Sequence, residues 1–350
     1  MRAFVVLPKK YAPFLEEELA LVQTIYSEVA GYITVRNTAQ RTYLSSEKIS
    51  KLKEMDFDKL IVMDKLKPAQ YVNLTRELKR EVLDRIFVIL EIFATHAGSQ
   101  EALLQIELAR LKHMLPLIKE GIRYAKIGEL HGFLGAGKYG YEKYYLMLKR
   151  KEARVRRELE RLREIRSIRR KARLEAGLPH VAIVGYTCAG KTSLFNSITG
   201  LSKPVGPEPF TTLTPKAQRA GYKDISFIVI DTVGFIRDIP PEIVESFYAT
   251  LEEIAEADII VNVVDASRSL SEVISELETC RDILGKIGLR DRPVVYALNK
   301  IDKINSYEEV VKAVAERLAV GNDVIPTSST KRINIDLLLE RIYTKLKSRG

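Results

Sequence analysis

Residues 181–193 read Val-Ala-Ile-Val-Gly-Tyr-Thr-Cys-Ala-Gly-Lys-Thr-Ser: an apolar run, a loop bounded by Gly185 and Gly190, then Lys191, Thr192 and Ser193. Glycines at both ends permit positive φ angles and close backbone approach, so the amides of Tyr186, Thr187, Cys188 and Ala189 can curl around a phosphate. Lys191 is spaced to reach β and γ phosphates, and the Thr192 hydroxyl to meet a magnesium ion. Residues 204–215 then hold four prolines and the pair Thr211-Thr212. The prolines exclude a helix, and a threonine in such a long loop can sense the γ phosphate and complete magnesium coordination. Thr212 takes that role, with Thr211 as its rival. Downstream, Asp231-Thr-Val-Gly234 ends a second apolar run. Asp231 can hold magnesium through water, and the Gly234 amide can bond the γ phosphate. Lys191, Thr212 and Gly234 are therefore the expected catalytic groups.

The purine is selected elsewhere. In Asn299-Lys300-Ile301-Asp302, both oxygens of Asp302 can accept the imino and exocyclic amino protons of guanine. Adenine has no such donor pair and would leave a buried carboxylate unsatisfied. Asn299 would tie the base to the phosphate loop, and the Lys300 stem would cover one face of the base. The segment Val324–Thr330, with Ser328 and Ser329, is placed to add a backbone N–H to the guanine oxygen. These residues imply a site for GTP and GDP with Mg2+.

Positioning them requires an α/β scaffold. Apolar runs at 181–184, 225–230, 258–264 and 294–298 read as buried strands, with helices beginning at Leu194 and Glu242. A Ras-like phosphate-loop domain with a parallel-rich sheet is expected over residues 178–350. Upstream, residues 1–83 read as a small α/β unit, with strands at Arg2–Leu7, Tyr32–Val35 and Leu60–Met63. Its helices are expected over Phe14–Tyr26, from Ser45-Ser46-Glu47, and from Pro68 to about Leu78. From 84 to 177 the pattern is a long antiparallel helical hairpin. Leu104, Leu108, Leu111, Leu115 and Ile118 form one stripe, and Leu148, Val155, Leu159, Leu162 and Ile165 another, around a glycine-rich loop at 128–140. Ala176-Gly-Leu-Pro179 breaks the second helix, so residues 1–177 form an N-terminal domain.

Composition narrows the partners. The chain has 350 residues, 46% hydrophobic and 29% charged, and no apolar run long enough to cross a membrane. Its two cysteines, Cys188 and Cys280, are too few for a disulfide framework and fit a reducing cytoplasm. No pair among its four histidines has metal-ligand spacing. Of the net charge of +10, nearly all lies between Lys149 and Arg173, where thirteen Lys or Arg face four Glu. That concentration points to a polyanion. Lys149, Arg150, Arg154 and Arg157 are expected on phosphates, Tyr139, Tyr141, Tyr144 and Tyr145 beside the glycine loop stacked on unpaired RNA bases, and Lys138 among the RNA-binding residues. The plainer readings are a solvated helix face and tyrosines packed at a hairpin tip. A membrane face is disfavoured, because the run offers only sparse Leu, Val and Ile.

The sequence resembles the HflX GTPases, of the translation-factor-related class. The resemblance rests on Gly185–Asn196, Phe210-Thr-Thr-Leu213 and Asp231-Thr-Val-Gly-Phe-Ile236, with Asp84–Ala94 and Gln105–Leu111 matching the family's upstream signature. It implies a GTPase that binds the large ribosomal subunit and its rRNA, splits stalled or idle ribosomes, and in some members binds ATP through the N-terminal domain. Two departures bear on this. The family's glycine-rich loop carries Arg, Pro and Glu, whereas Gly132–Gly140 carries Lys138 and neither Arg nor Pro. Phe235 occupies the place where many GTPases have a water-orienting glutamine, and Cys188 the place of an asparagine that recruits potassium in several others. A thiol is a poor ligand for a hard cation, so slow intrinsic hydrolysis with little potassium stimulation is expected. An RNA-binding or ribosome-assembly scaffold that keeps the nucleotide as a structural ligand is the competing reading. Lys191→Ala would abolish the function of a switch and mainly destabilise a scaffold.

Overall fold

Arg2–Pro8 forms β1, whose Ala3, Val5, Val6 and Leu7 are fully buried in a computed structural model describing residues 1–97, 100–126, 138–175, 177–201, 216–232, 234–235, 257–286 and 288–348. A strand apolar on both faces needs cover on both, the signature of a parallel sheet. β1 runs parallel to β2 (Glu28–Val35) and β3 (Lys59–Val62), and β3 to β4 (Glu81–Asp84), giving the order β2-β1-β3-β4. Helices α1 (Leu15–Gln23), α2 (Ser46–Glu54), α3 (Pro68–Leu78) and α4 (Arg85–His96) follow in turn. Ser45 caps α2 by accepting from the Lys48 amide, and Pro68 opens α3, both as the sequence leads one to expect.

Two details differ from expectation. The first helix begins at Leu15, because Lys9–Phe14 form a 3-10 turn containing Pro13. β4 has only four residues and runs straight into α4, whose first turns, Ile86–Leu90, are buried all round and carry no amphipathic period. At that junction the buried Asp84 carboxylate accepts from the amides of Phe87 at 3.2 Å and Leu66 at 3.3 Å, and pairs with His113 Nε2 at 2.8 Å. Next to it, the Arg85 guanidinium grips Glu18 with two hydrogen bonds of 2.7 and 3.1 Å.

α5 (Gln100–Lys126) and α6 (Lys138–Glu175) form the hairpin. Leu111 and Leu115 of α5 pack with Leu148, Val155 and Leu159 of α6, and Tyr144 and Tyr145 pack against this seam. Tyr144 and Tyr145 therefore follow the packing reading, with the Tyr144 hydroxyl 4.0 Å from Met114 Sδ. Ion pairs Lys126–Glu142, 3.0 Å apart, and Lys151–Glu107 fix the antiparallel sense. The glycine-rich loop lies outside the described residues, as do the side chains of Lys138, Tyr139 and Tyr141. The chain divides into two compact units between Glu164 and Ile165, inside α6.

The second unit is a six-stranded sheet of β5 (His180–Gly185), β6 (Lys216–Tyr222), β7 (Ile225–Asp231), β8 (Ile259–Asp265), β9 (Val294–Asn299) and β10 (Val324–Pro326), ordered β10-β9-β8-β5-β7-β6. Only β6 is antiparallel. β6 carries no long apolar run, which hides it in the sequence; it is paired to β7 by a tight turn with Lys223 at φ +51°. Around the sheet stand α7 (Lys191–Thr199), α8 (Leu270–Lys286), α9 (Glu308–Leu318) and α10 (Ile335–Lys347). One core joins β5, β7, β8 and β9 to Leu194 and Phe195 of α7 and to Leu338 and Ile342 of α10. The helix expected from Glu242 lies almost wholly outside the described residues, as do Thr211 and Thr212.

Candidate nucleotide site

The carboxyl ends of β5, β7, β8 and β9 gather the polar residues singled out in the sequence. The loop Tyr186–Gly190 turns between β5 and α7, with Gly190 as N-cap at φ +94° and Cys188 at φ +61°. Both glycines are demanded by their neighbours. A Cβ on Gly185 would lie 2.1 Å from the Val263 carbonyl oxygen, and one on Gly190 would lie 2.2 Å from Asn299 Nδ2. The Thr187 amide donates to Phe235 at 2.9 Å and the Ala189 amide to Tyr186 at 3.4 Å, so two of the four loop amides are engaged within the protein, and the N-terminus of α7 presents the positive end that suits a phosphate.

Lys191 lies at the first helical position, 6% exposed, and its ammonium donates to the Tyr186 carbonyl at 2.6 Å. Burial pushes its pKa down, and the charge of Asp231 works against that shift. Asp231 closes β7 in register with Ile183 and is fully buried, and the Thr232 hydroxyl donates to the Ile183 carbonyl at 2.6 Å. Thr192 is also buried. A hydroxyl and a carboxylate held in this way suit a hard oxygen-seeking ion such as Mg2+.

Gly234 sits under the loop, where an added Cβ would come 2.8 Å from both Lys191 Nζ and Thr187 Cγ2. Phe235 is stitched to the loop through its backbone. Its amide donates to the Gly185 carbonyl, and its carbonyl accepts from Thr187, both at 2.9 Å. The residue is 4% exposed, and a phenyl ring offers no hydrogen bond to a water.

On the other side, β9 delivers Asn299-Lys300-Ile301-Asp302. Asn299 Nδ2 donates to the Ala189 carbonyl at 2.9 Å, while its Oδ1 accepts from the amide and hydroxyl of Ser329 at 3.0 and 2.9 Å. The side chain is thereby the splice between the phosphate loop and the Thr327–Thr330 turn. Ser328 Oγ donates to Asp302 Oδ1 at 2.6 Å and fixes that carboxylate. The Ser328 amide donates to Ile333 and the Ser329 amide to Asn299, so both N–H groups are engaged within the protein. Lys300, at φ +66°, sends its ammonium to the Cys188 carbonyl at 2.7 Å and to Asp265 Oδ2 at 2.6 Å.

With this geometry in view, the relatives are informative. Residues 180–300 match the family model described as 50S ribosome-binding GTPase, 96–173 the GTP-binding GTPase middle region, and 14–94 the GTP-binding GTPase N-terminal region. The GTPase HflX of Hyperthermus butylicus is 43% identical over 98% of this chain and 96% of its own, and that of Saccharolobus solfataricus 42% over 94% and 95%. The chain belongs to the HflX GTPases. Hydrolysis of GTP is its reaction. Among solved structures, a GTP-binding protein from Sulfolobus solfataricus in complex with GDP is 34% identical, covering 100% of this chain and 99% of that one, with a TM-score of 0.56. The SsGBP–GDP complex, 35% identical, covers 98% and 97% with a TM-score of 0.59. In this HflX chain, among the described residues, no helix is long and apolar enough to cross a membrane.

Sequence reading missed two contributors. Asp265 lay one residue past the expected end of β8, and Ser197 inside an apolar-periodic helix. Ser197 donates to the Ser329 carbonyl at 2.7 Å and so ties α7 to the base-side turn. An aspartate closing a buried strand, as Asp231 does, was the signal available for Asp265.

Proposed function

We propose that this chain is a GTP-hydrolysing switch of the large ribosomal subunit, in which nucleotide state controls engagement of rRNA and thereby the splitting of ribosomes in the cytoplasm. The nucleotide is held by Gly185–Ser193, Asp231, Gly234, Asn299, Lys300 and Asp302, with Ser328 fixing the Asp302 carboxylate and Ser329 the Asn299 side chain, in a domain of residues 178–350. Residues 1–177 supply the RNA-facing part. Thr192, Thr212 and Asp231 hold Mg2+, which when bound neutralises charge on the transferring phosphate. Lys191 steadies the β and γ phosphates, and Gly234 offers its amide to the γ phosphate. With Phe235 buried under the loop, no side chain at that position orders water, so intrinsic hydrolysis is slow and the ribosome supplies the missing order.

The observation that carries the RNA reading is the sorting of charge on α6. Lys149 and Arg156 are spent on Glu152, at 3.1 and 2.8 Å, and Lys151 on Glu107. Arg150, Arg154 and Arg157 are exposed and, by helical periodicity, share the face opposite Leu148, Val155 and Leu159. Arg161, which pairs with Glu158 at 3.7 Å yet keeps its side chain 71% exposed, continues the same face, for a stripe about 16 Å long at 1.5 Å per residue. A stripe of arginines suits a phosphate backbone. Hydrolysis rates with and without large subunits, in potassium and in sodium, test the switch. The expected result is a low basal rate indifferent to the cation and a much higher rate with subunits; a fast potassium-stimulated basal rate overturns it.

A further inference from the structure

The Asn-Lys-x-Asp lysine does not stand alone. Lys300 is in the left-handed region, its ammonium bridges two loops, and one of its two acceptors is a carboxylate that no sequence motif marked. That carboxylate is Asp265, at the carboxyl end of β8 and in register with Asn299 on β9. Its other oxygen accepts from the Ser267 amide at 3.0 Å and the Ser267 hydroxyl at 2.6 Å. The backbone reinforces the same corner, since the Ala266 amide donates to the Asn299 carbonyl at 2.8 Å. Asp265 is 7% exposed and the Lys300 side chain 24%, so the carboxylate is sheltered and the ammonium partly so.

The consequence lies at the phosphate loop. Cys188 is a non-glycine residue at φ +61°, a conformation L-residues adopt only when their surroundings hold them there. Its carbonyl accepts from Lys300 Nζ at 2.7 Å. An ammonium on a four-carbon stem is free to swing unless something opposes it. Asp265 is what opposes it: the carboxylate is itself fixed by Ser267, it fixes the ammonium, and the ammonium fixes the loop peptide.

We propose that Asp265 is a positioning residue for nucleotide binding. It locks Lys300 so that one side chain both lies along the base and clamps the left-handed peptide of the phosphate loop. This rests on the assignment of the guanine site to Asn299–Asp302. Because Asp265 acts through Lys300, its removal should speed nucleotide release without altering which purine is chosen, since that choice belongs to Asp302.

The test is a double-mutant cycle on the full chain, reading the release rate of fluorescent GDP and the affinity ratio of GDP to IDP, which lacks the exocyclic amino group. Asp265→Asn should accelerate release roughly ten- to hundredfold, the value of a sheltered charge-assisted hydrogen bond, and leave the GDP:IDP ratio unchanged. In a Lys300→Ala background the same substitution should add nothing. Additive effects, or an Asp265→Asn variant that releases GDP at the parental rate while Lys300→Ala does not, overturn the proposal. Asp302→Asn is the control: if neither it nor Lys300→Ala changes GDP binding, the guanine-site assignment itself has failed. Ser267→Ala, which removes one hydrogen bond to the carboxylate, should give a smaller acceleration and serves if Asp265→Asn does not fold.

Discussion

Lys191, the proposed phosphate-binding lysine, is held at a cost to the fold. Its ammonium is almost wholly out of water, and burial depresses its pKa. Desolvating a cation costs several kcal/mol, which the Tyr186 carbonyl only partly offsets. Lys191→Met keeps the stem and removes the charge. The nucleotide-free variant should therefore melt no lower than the parent while hydrolysing no GTP. A calorimetric melting point several degrees below the parent would show that the lysine stabilises the fold. Asp265 has the opposite sign. Burial raises its pKa, but hydrogen bonds from Lys300 and Ser267 outweigh that, and the folded value lies below the ordinary 3.8. A depressed carboxyl contributes stability that is complete above its unfolded pKa and lost as pH falls through the folded one. The stability difference between parent and Asp265→Asn, read by urea denaturation, should be constant above about pH 5 and shrink below 3.8.

At the scale of elements, the hairpin is a seam of large aliphatic side chains flanked by Tyr144, Tyr145 and two interhelical ion pairs. Leu159 is 3% exposed in that seam. Leu159→Ala should cost about 2–5 kcal/mol of the unfolding free energy of the N-terminal part, visible as an earlier first transition in circular dichroism at 222 nm. Nucleotide affinity should be unaltered, since no residue of the site belongs to the hairpin. Elements were legible where a single period or a cap announced them. The leucine spacing of α5 and α6, Ser45 before α2 and Pro68 at α3 all carried local signals. β4, α4 and β6 did not: two are short or exposed, and α4 is apolar over its first turns, so tertiary burial and not local pattern decides them. The site divides the same way. Gly185 and Gly190 are readable because a backbone must pass where no Cβ fits. Ser197 is not, because its meaning lies in a partner 132 residues away, and Asp265 shows its place at a strand end but not its partner, 35 residues on.

For the whole molecule the governing asymmetry is charge. Nearly all of the net +10 lies on α6, which holds none of the nucleotide-site residues, and the proposed function gives that charge an RNA backbone to meet. The exposed arginines 150, 154 and 157 carry no base-reading geometry, only phosphate-reading charge on one helix face. Replacing all three with glutamine should therefore weaken binding to large ribosomal subunits without altering hydrolysis by the free chain. Every phosphate left without its arginine reduces the slope of log affinity against log salt by about 0.7 to 0.9, so the triple variant should be shallower by roughly two to three. Sedimentation with subunits across a salt series, in a GTP analogue, in GDP and without nucleotide, measures that slope. If the stripe is the grip and the nucleotide site its control, the parent should bind best with the analogue, and the variant should have a shallower slope in every nucleotide state. A variant with the parental slope would assign the excess charge of α6 to solvation alone and move the RNA contact elsewhere on the N-terminal part.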